Sequence, residues 1–341
     1  MTTKQIDIAI VGAASLAGEA VLSLLAERKF PLGTLYAVDE VEKAGSHVEY
    51  KDEPLVVHEL AEFDFEQVQL AIFLIEAPQA AEYAPRATDA GCVVIDSSVC
   101  FRFEEGVPLV IPGVNDEVIA DYRERMMVAI PSSATSQLIR CIKPIYDAAG
   151  IESIHATVML SVSETGKPGQ EELGRQTARL LNFQDAKSEV YPSQIAFNII
   201  PESGFLVEGG HTTDELDLIK GTQKVLNNDK ISIQVTMATV PVFYCHSESI
   251  SVRTTETLGA DKTVEILDNI PGLKVIKSAT KGRPTPVTDG SGKDDVVIGR
   301  IRQDFSPDSN ELLLWSVADN IRGGIALNSV QTAEILVKDY L

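Results

Sequence analysis

The chain has 341 residues, 44% of them hydrophobic and only 6% aromatic, and its 29 lysines and arginines face 50 aspartates and glutamates for a formal charge of −21. At roughly 150 residues per domain this length predicts two domains, each with its own core. Such a charge repels phosphate backbones and anionic headgroups, so neither nucleic acid nor a membrane surface is expected as a partner. Apolar runs such as Leu70 to Ile75 fall far short of the roughly 20 residues of a spanning helix. The N-terminal MTTKQIDIAIVG carries one lysine and runs straight into a strand, unlike a secretory signal, so a cytoplasmic location is expected. Cys92, Cys100, Cys141 and Cys245 have neither metal-site nor disulfide-framework spacing, and no metal is expected.

The first third alternates strands and helices. Ile6 to Val11 is a short β-branched run, followed by GAASLAG and a helical pattern, EAVLSLLAERKF. Then come TLYAVDE, VQLAIFLIE, an alanine-rich helix from Pro78 to Ala90, and CVVIDSS. Apolar strands separated by helices predict a doubly wound parallel sheet, which takes ligands beyond the carboxyl ends of its strands. Around Pro131 the pattern changes. Ser132 to Ala149 is predicted helical, with Ser132 or Ser133 as N-cap. The long runs ESIHATVMLSVSE, KISIQVTMATVPVFYCHSESISV and DDVVIGRIRQD, with a helix from Thr213 to Leu226, predict a mostly antiparallel sheet with helices on one face. An amphipathic helix, Asn320 to Leu341, follows the Trp315 strand. There is no internal repeat and no low-complexity linker.

Gly12, Ser15 and Gly18 form a G-x-x-S-x-x-G turn between strand and helix, the context for a dinucleotide pyrophosphate on a helix N-terminus. Serine in the middle crowds the backbone approach that glycine allows, so the alternative is a tight turn that binds nothing. Asp39 ends the second strand 27 residues after Gly12, where an acid accepts from a ribose 2′-hydroxyl and repels a 2′-phosphate. With Glu40 and Glu42 beside it, NAD is favoured over NADP if a dinucleotide binds; the alternative is a solvated acidic loop. No metal cofactor is implied.

Ser133, after a proline at a predicted helix N-terminus, is placed either as a nucleophile in a field that stabilises negative charge or as an ordinary cap. His246 is the candidate acid–base, or else a hydrogen-bonded structural residue. Its neighbour Cys245 is expected on the opposite strand face, and both Cys100 and Cys245 are expected to be ordinary, partly buried thiols. Arg102, just past a strand end, suits bidentate capture of a carboxylate or phosphate, or a surface ion pair with Glu104 or Glu105.

The segments VGAASLAG, VVIDSSVCFRF, VPLVIPGVN, IPSSATSQL, SETGKPGQEEL, IAFNIIPESG, VPVFYCHSES and DNIRGGIALNSVQTAE, in this order, resemble the aspartate-semialdehyde dehydrogenase family over nearly the whole chain. More narrowly, the sequence resembles the Usg-like proteins, a divergent branch of that family. The resemblance implies a Rossmann-type dinucleotide-binding domain over 1–130, an α+β catalytic-like and dimerisation domain over 131–318, and a C-terminal helix, 319–341, returning to the first domain. It implies homodimers, or a higher oligomer, and a role in amino-acid biosynthesis. The family's reaction is the NADP- and phosphate-dependent interconversion of aspartate semialdehyde and aspartyl phosphate through a cysteine thioester.

Carried over residue by residue, the nucleophile's position is Ser133, and an alkanol does not ionise near neutrality as a thiol with a pKa of about 8.5 can. The substrate-positioning glutamine corresponds to Leu160 and the carboxylate-clamping arginine to Thr239. Past His211, Asp214 and Glu215 keep the family's acidic pair, but Asp217 replaces its phosphate-binding lysine. His246 keeps the acid–base position and Arg102 the other phosphate-binding position. The turn Ser163 to Gly166 survives as SETG rather than S-G-A-G, and Asn320 with Arg322 to Gly324 keeps the C-terminal motif near the cofactor. The resemblance thus implies a degenerate paralogue that binds a dinucleotide, a small metabolite or an active relative in a mixed dimer. The alternatives are an oxidoreductase acting on aldehyde or oxo donors with an altered substrate, and a Ser133–His246 hydrolase. The hydrolase lacks an obvious orienting carboxylate beyond Glu248, which shares the strand parity of His246.

Overall fold

Ile6–Val11 is β-branched and almost wholly buried because both of its edges are paired inside a sheet. In the computed structural model, which describes residues 5–277, 283–306 and 309–341, the chain divides into two units, one running to Ser132 and resuming at Ile325–Leu341, the other spanning Ser133–Gly324. The first contains β1 (Ile6–Val11), α1 (Leu16–Glu27), β2 (Leu32–Asp39), β3 (His47–Tyr50), β4 (Glu53–Glu59), β5 (Leu70–Phe73), α2 (Ala77–Asp89), β6 (Val93–Asp96) and β7 (Met127–Ala129). The sheet order is β3-β4-β2-β1-β5-β6-β7, parallel throughout except for the β3–β4 pair. The order reverses direction at β1, so the turn after β1 lies at the point where such sheets bind ligands.

The β3–β4 hairpin is not anticipated by the sequence. Its two-residue loop is Lys51–Asp52, both at positive φ (53° and 63°), a conformation usually signalled by glycine or asparagine.

The second unit contains α3 (Ser133–Ala149), β8 (Ile151–Leu160), α4 (Gly166–Leu181), α5 (Thr213–Val225), β9 (Ser232–Thr239), β10 (His246–Thr254), α6 (Ala260–Leu267), β11 (Leu273–Val275), β12 (Val296–Gln303) and β13 (Glu311–Ala318). Its sheet runs β11-β12-β13-β10-β8-β9. The three central pairings are antiparallel, while β11–β12 and β8–β9 are parallel, so the expected antiparallel sheet is mixed at both edges. The run from Lys230 to Val252, read as one strand, divides into β9 and β10 on opposite sides of β8. Pro241 offers no amide donor to a ladder, and Cys245 adopts a left-handed φ of 77° just before β10 begins. Leu138, Ile142 and Ile145 of α3 share one buried core with Ile250 and Val252 of β10, which fixes the face that β10 presents to α3.

The predicted last helix also divides. Asn320–Ala326 is a π-helical turn, and only Leu327–Asp339 is α-helix, here α7. Val330, Ala333 and Leu336 of α7 join the first unit's core beside Val21, Leu22 and Leu25 of α1. The chain is therefore α/β, with a Rossmann-type doubly wound unit and an α+β unit. Among the described residues no helix is long and apolar enough to cross a membrane.

Candidate functional site

Ser133 opens α3, Glu164 lies in the short 3-10 turn Val162–Thr165 after β8, His246 is the first residue of β10, and Asn320 opens the π-helical turn after β13. The second unit brings these four together. Ser133 Oγ donates to Glu164 Oε2 at 3.3 Å, His246 Nε2 lies 2.9 Å from the same oxygen, and Asn320 Nδ2 donates to it at 3.3 Å. His246, Asn320 and Ser133 are 0%, 1% and 2% exposed. The Glu164 side chain keeps 32% exposure, but its carboxylate turns inward onto these buried donors.

Each donor is held from behind. Ser161 N donates to His246 Nδ1 at 3.2 Å, so that nitrogen carries the lone pair and the neutral ring carries its proton on Nε2, toward Glu164. Asn320 Oδ1 accepts from Ser161 Oγ (3.2 Å), Ser163 Oγ (2.9 Å) and Cys245 N (3.1 Å), which leaves the amide nitrogen as the group presented to Glu164. A Cβ at Gly324 would stand 2.7 Å from Ser133 Cβ, so glycine there lets the start of α3 approach the chain after β13. Burial opposes the charge on Glu164. The imidazole of His246 and the hydrogen bonds from His246, Asn320 and Ser133 outweigh it and hold the carboxyl below its ordinary value.

Two sequence expectations change here. Ser133 does not meet His246 as a hydrolase dyad, because its hydroxyl donates to Glu164 and the histidine presents a proton rather than a lone pair. Glu248 does not orient His246. It is buried in the core, its Oε2 accepts from Ser316 Oγ at 3.1 Å, its Oε1 has no partner, and burial pushes its carboxyl well above the ordinary value. The carboxylate on the ring is Glu164, a residue on which no sequence expectation fell. Its signal was an acid in SETG where the family resemblance has glycine.

The substituted substrate positions also lie in this unit. Leu160 and Thr239 are register partners at the ends of β8 and β9, both buried, and Thr239 Oγ1 donates to Glu202 O at 3.3 Å. Asp214 accepts a short hydrogen bond from Ser203 Oγ. Burial raises its carboxyl against that bond, and the charges of Glu164 and Asp217 raise it further. Glu215 is structural: it forms a capping box with Thr212 on α5, and its Oε1 accepts from Met237 N at 3.1 Å. Asp217, one turn into α5, is also buried. Ser163 lies behind Asn320, and Gly166 turns the chain into α4 at a φ of 71°.

No cysteine is set up as a nucleophile. Cys245 precedes β10 rather than alternating with His246 in it, and it is fully rather than partly buried. Burial, with the charge of Asp319, pushes its thiol up to about 12. Burial pushes Cys92 to about 12 and Cys141 well above its ordinary value, while Cys100 is raised by burial and by Asp96 and Glu104.

In the first unit the turn after β1 is a tight glycine turn that runs into the N-terminus of α1. Gly12 has a φ of 84° and a Cβ there would meet Leu74 O at 2.5 Å; at Gly18 it would meet Gly12 O at 2.3 Å. Ser15 caps α1, its Oγ accepting from Gly18 N at 3.0 Å and donating to Gly12 O at 2.7 Å. Asp39 is buried and braces this turn, with Oδ2 accepting from Ala14 N (2.8 Å) and Oδ1 from Glu40 N (2.9 Å), so it is not a solvated loop residue. Neither is Arg102 a surface ion pair: its buried guanidinium donates to Ile130 O at 3.0 Å and Ser97 O at 2.6 Å. Beside it Asp96 is pushed up to about 6 by burial, against hydrogen bonds from Ser98 and the charge of Arg102. Among the described residues no cluster of three or more His, Cys, Asp or Glu could hold a metal ion.

The semialdehyde dehydrogenase NAD binding domain pattern matches residues 7–122, and the semialdehyde dehydrogenase dimerisation domain pattern matches residues 142–323. Aspartate-semialdehyde dehydrogenase of Legionella pneumophila is 42% identical over 340 residues, covering 99% of this chain and 98% of that protein. A crystal structure of aspartate semialdehyde dehydrogenase II from Vibrio cholerae, complexed with ASA, superposes with a TM-score of 0.96 at 40% identity, covering 99% of this chain and 100% of that one. The Candida albicans enzyme, solved with NADP, shares the fold at 20% identity and a TM-score of 0.75, over 98% of both chains. The first unit is thus a semialdehyde dehydrogenase NAD(P)-binding domain and the second carries the dimerisation domain, and the chain belongs to the aspartate-semialdehyde dehydrogenase family.

Proposed function

We propose that this chain is a Usg-like, degenerate member of its family: a homodimer that binds a dinucleotide or small metabolite but does not run the NADP- and phosphate-dependent oxidation of aspartate semialdehyde. The observation that carries this is the convergence of Ser133 and His246 on the Glu164 carboxylate. An alkanol needs a strong neighbouring base to attack a carbonyl. His246 presents its proton to Glu164, and Glu164, held below its ordinary value, is a weak base at neutral pH. The raised thiols of the four cysteines supply no substitute nucleophile. Leu160 and Thr239 give an anionic substrate no charged partner, while Glu164, held as a carboxylate, repels it.

A bound nicotinamide dinucleotide would supply a hydride acceptor. The Gly12–Ser15–Gly18 turn at the N-terminus of α1 suits its pyrophosphate. Asp39, at the end of β2, braces the turn through both oxygens, yet each keeps a second lone pair, and a carboxylate at that position favours a free ribose 2′-hydroxyl, hence NAD over NADP.

The test is single-turnover: stoichiometric protein with aspartate semialdehyde, phosphate and either NAD or NADP, followed at the absorbance of the reduced cofactor beside the Vibrio cholerae enzyme. No burst is expected with either dinucleotide. A burst comparable to the control overturns the proposal.

A further inference from the structure

Three hydrogen-bond donors converge on one oxygen of Glu164, and each is aimed by contacts that do not involve Glu164. His246 is set by Ser161 N, Asn320 by Ser161, Ser163 and Cys245, and Ser133 by its place at the first residue of α3, against Gly324. Take Glu164 away and the donors remain, buried and pointed at a common spot. Such a spot calls for an oxyanion, because donors left facing nothing in a buried site are costly. Among the described residues the Glu164 side chain makes no hydrogen bond beyond these three. Glu164 belongs to a four-residue 3-10 turn, its side chain is 32% exposed, and the chain leaves through Gly166 at a φ of 71°.

We infer that Ser133 Oγ, His246 Nε2 and Asn320 Nδ2 form a receptor for a small carboxylate, and that Glu164 is its tethered, exchangeable occupant. The inference rests on the proposed function only in treating this spot as a binding rather than a reacting centre. A free carboxylate enters when the Glu164 side chain swings toward solvent. Because the occupant is tethered, it competes at a high effective concentration and keeps the receptor closed to weak ligands. Glu164 thereby sets a threshold: only a carboxylate with further contacts in the second unit displaces it.

The probe is formate, titrated into the full-length protein and its variants by calorimetry and by the side-chain nitrogen resonances of His246. With three non-hydrogen atoms, formate is expected to bind Glu164→Ala with a Kd of about 1 mM, at the ceiling for so small a ligand. The native protein should bind at least about tenfold more weakly through tethered competition. Glu164→Gln, whose amide still fills the spot but accepts less strongly than a carboxylate, should bind more weakly than Glu164→Ala and more tightly than the native protein. If Glu164→Ala does not fold, Glu164→Ser provides the same opening. Equal formate affinity in native protein and truncation variant overturns the inference, as does a formate response that leaves His246 unmoved or is matched by chloride at the same concentration. None of these readouts uses turnover, so their failure leaves the single-turnover result standing, and a burst there does not alter them.

Discussion

At His246, the first residue of β10, a glutamate carboxylate meets three donors on one oxygen, while two residues along the same strand face Glu248 meets only Ser316. Both carboxylates bear a desolvation penalty, yet Glu164 is held below its ordinary value and Glu248 far above it. What separates them is both neighbour and exposure: the His246 imidazole, then the hydrogen bonds from His246, Asn320 and Ser133, overturn the penalty at the partly exposed Glu164, while one hydroxyl does not at the fully buried Glu248. One glutamate is thus an anion in a receptor. The other is a neutral acid in a core.

The strongest test of that contrast is Glu248→Gln, which replaces a protonated carboxyl by a neutral amide of the same shape. A carboxyl whose folded pKa is raised costs stability as pH climbs above its unfolded value, because the unfolded chain releases a proton that the folded chain keeps. The native protein should therefore lose about 1.4 kcal/mol relative to the variant for each pH unit above about 4.5 while the folded acid stays protonated. Chemical denaturation of both proteins from pH 4 to pH 8 measures the gap. A gap that does not widen with pH would make Glu248 an anion after all and erase the contrast.

Asp96 repeats the Glu248 situation in the first unit: it is fully buried, its Oδ1 has no partner, and its carboxyl is pushed up to about 6. Asp96→Asn should be more stable than the native protein by up to about 3 kcal/mol above pH 6, shrinking to nothing below pH 4, near the unfolded value. The same titration reads it. Unlike Glu248, this group ionises within the accessible range, so its gap should level off near pH 7.

How much of this was legible in the sequence depended on how local the cause was. The β1–turn–α1 unit could be read because Gly12, Ser15 and Gly18 settle it within a few residues. The resemblance carried the placement of Ser133, His246 and Asn320. The Lys51–Asp52 hairpin was hidden because nothing in those residue types announces two left-handed positions. The Glu164–His246 pair was hidden because 82 residues separate its members, and strand parity pointed to Glu248 instead. For Arg102 the sequence left anion capture and a surface ion pair open, and its burial against the carbonyls of Ile130 and Ser97 was hidden because backbone acceptors leave no mark in sequence.

Gly324 links the glutamate comparison to packing. A valine there would drive its Cβ into Ser133, a contact of 2.7 Å, and costs about 2 kcal/mol as an overpacked core position. A lowered Tm is expected. In the Glu164→Ala background, Gly324→Val should also weaken formate binding by moving one of the three donors. Unchanged formate affinity would detach Ser133 from the receptor and leave His246 and Asn320 to account for it.

The smallest effect is that of Glu164→Gln on stability. Glu164 is partly exposed, so its ionic contacts are screened on one side and contribute only about 1 kcal/mol. Its folded pKa lies below the unfolded one, so that contribution is full above about pH 4.5 and disappears as the pH falls through the folded value. The native protein should exceed the variant by this margin at pH 7 and lose it as the pH falls through the folded value, in the direction opposite to the Glu248→Gln gap. Two glutamate-to-glutamine changes beside one strand, with stability differences of opposite sign and opposite pH dependence, would show that the His246 imidazole and its fellow donors at one carboxylate, and full burial at the other, decide which carries charge. Parallel pH profiles would show the reverse.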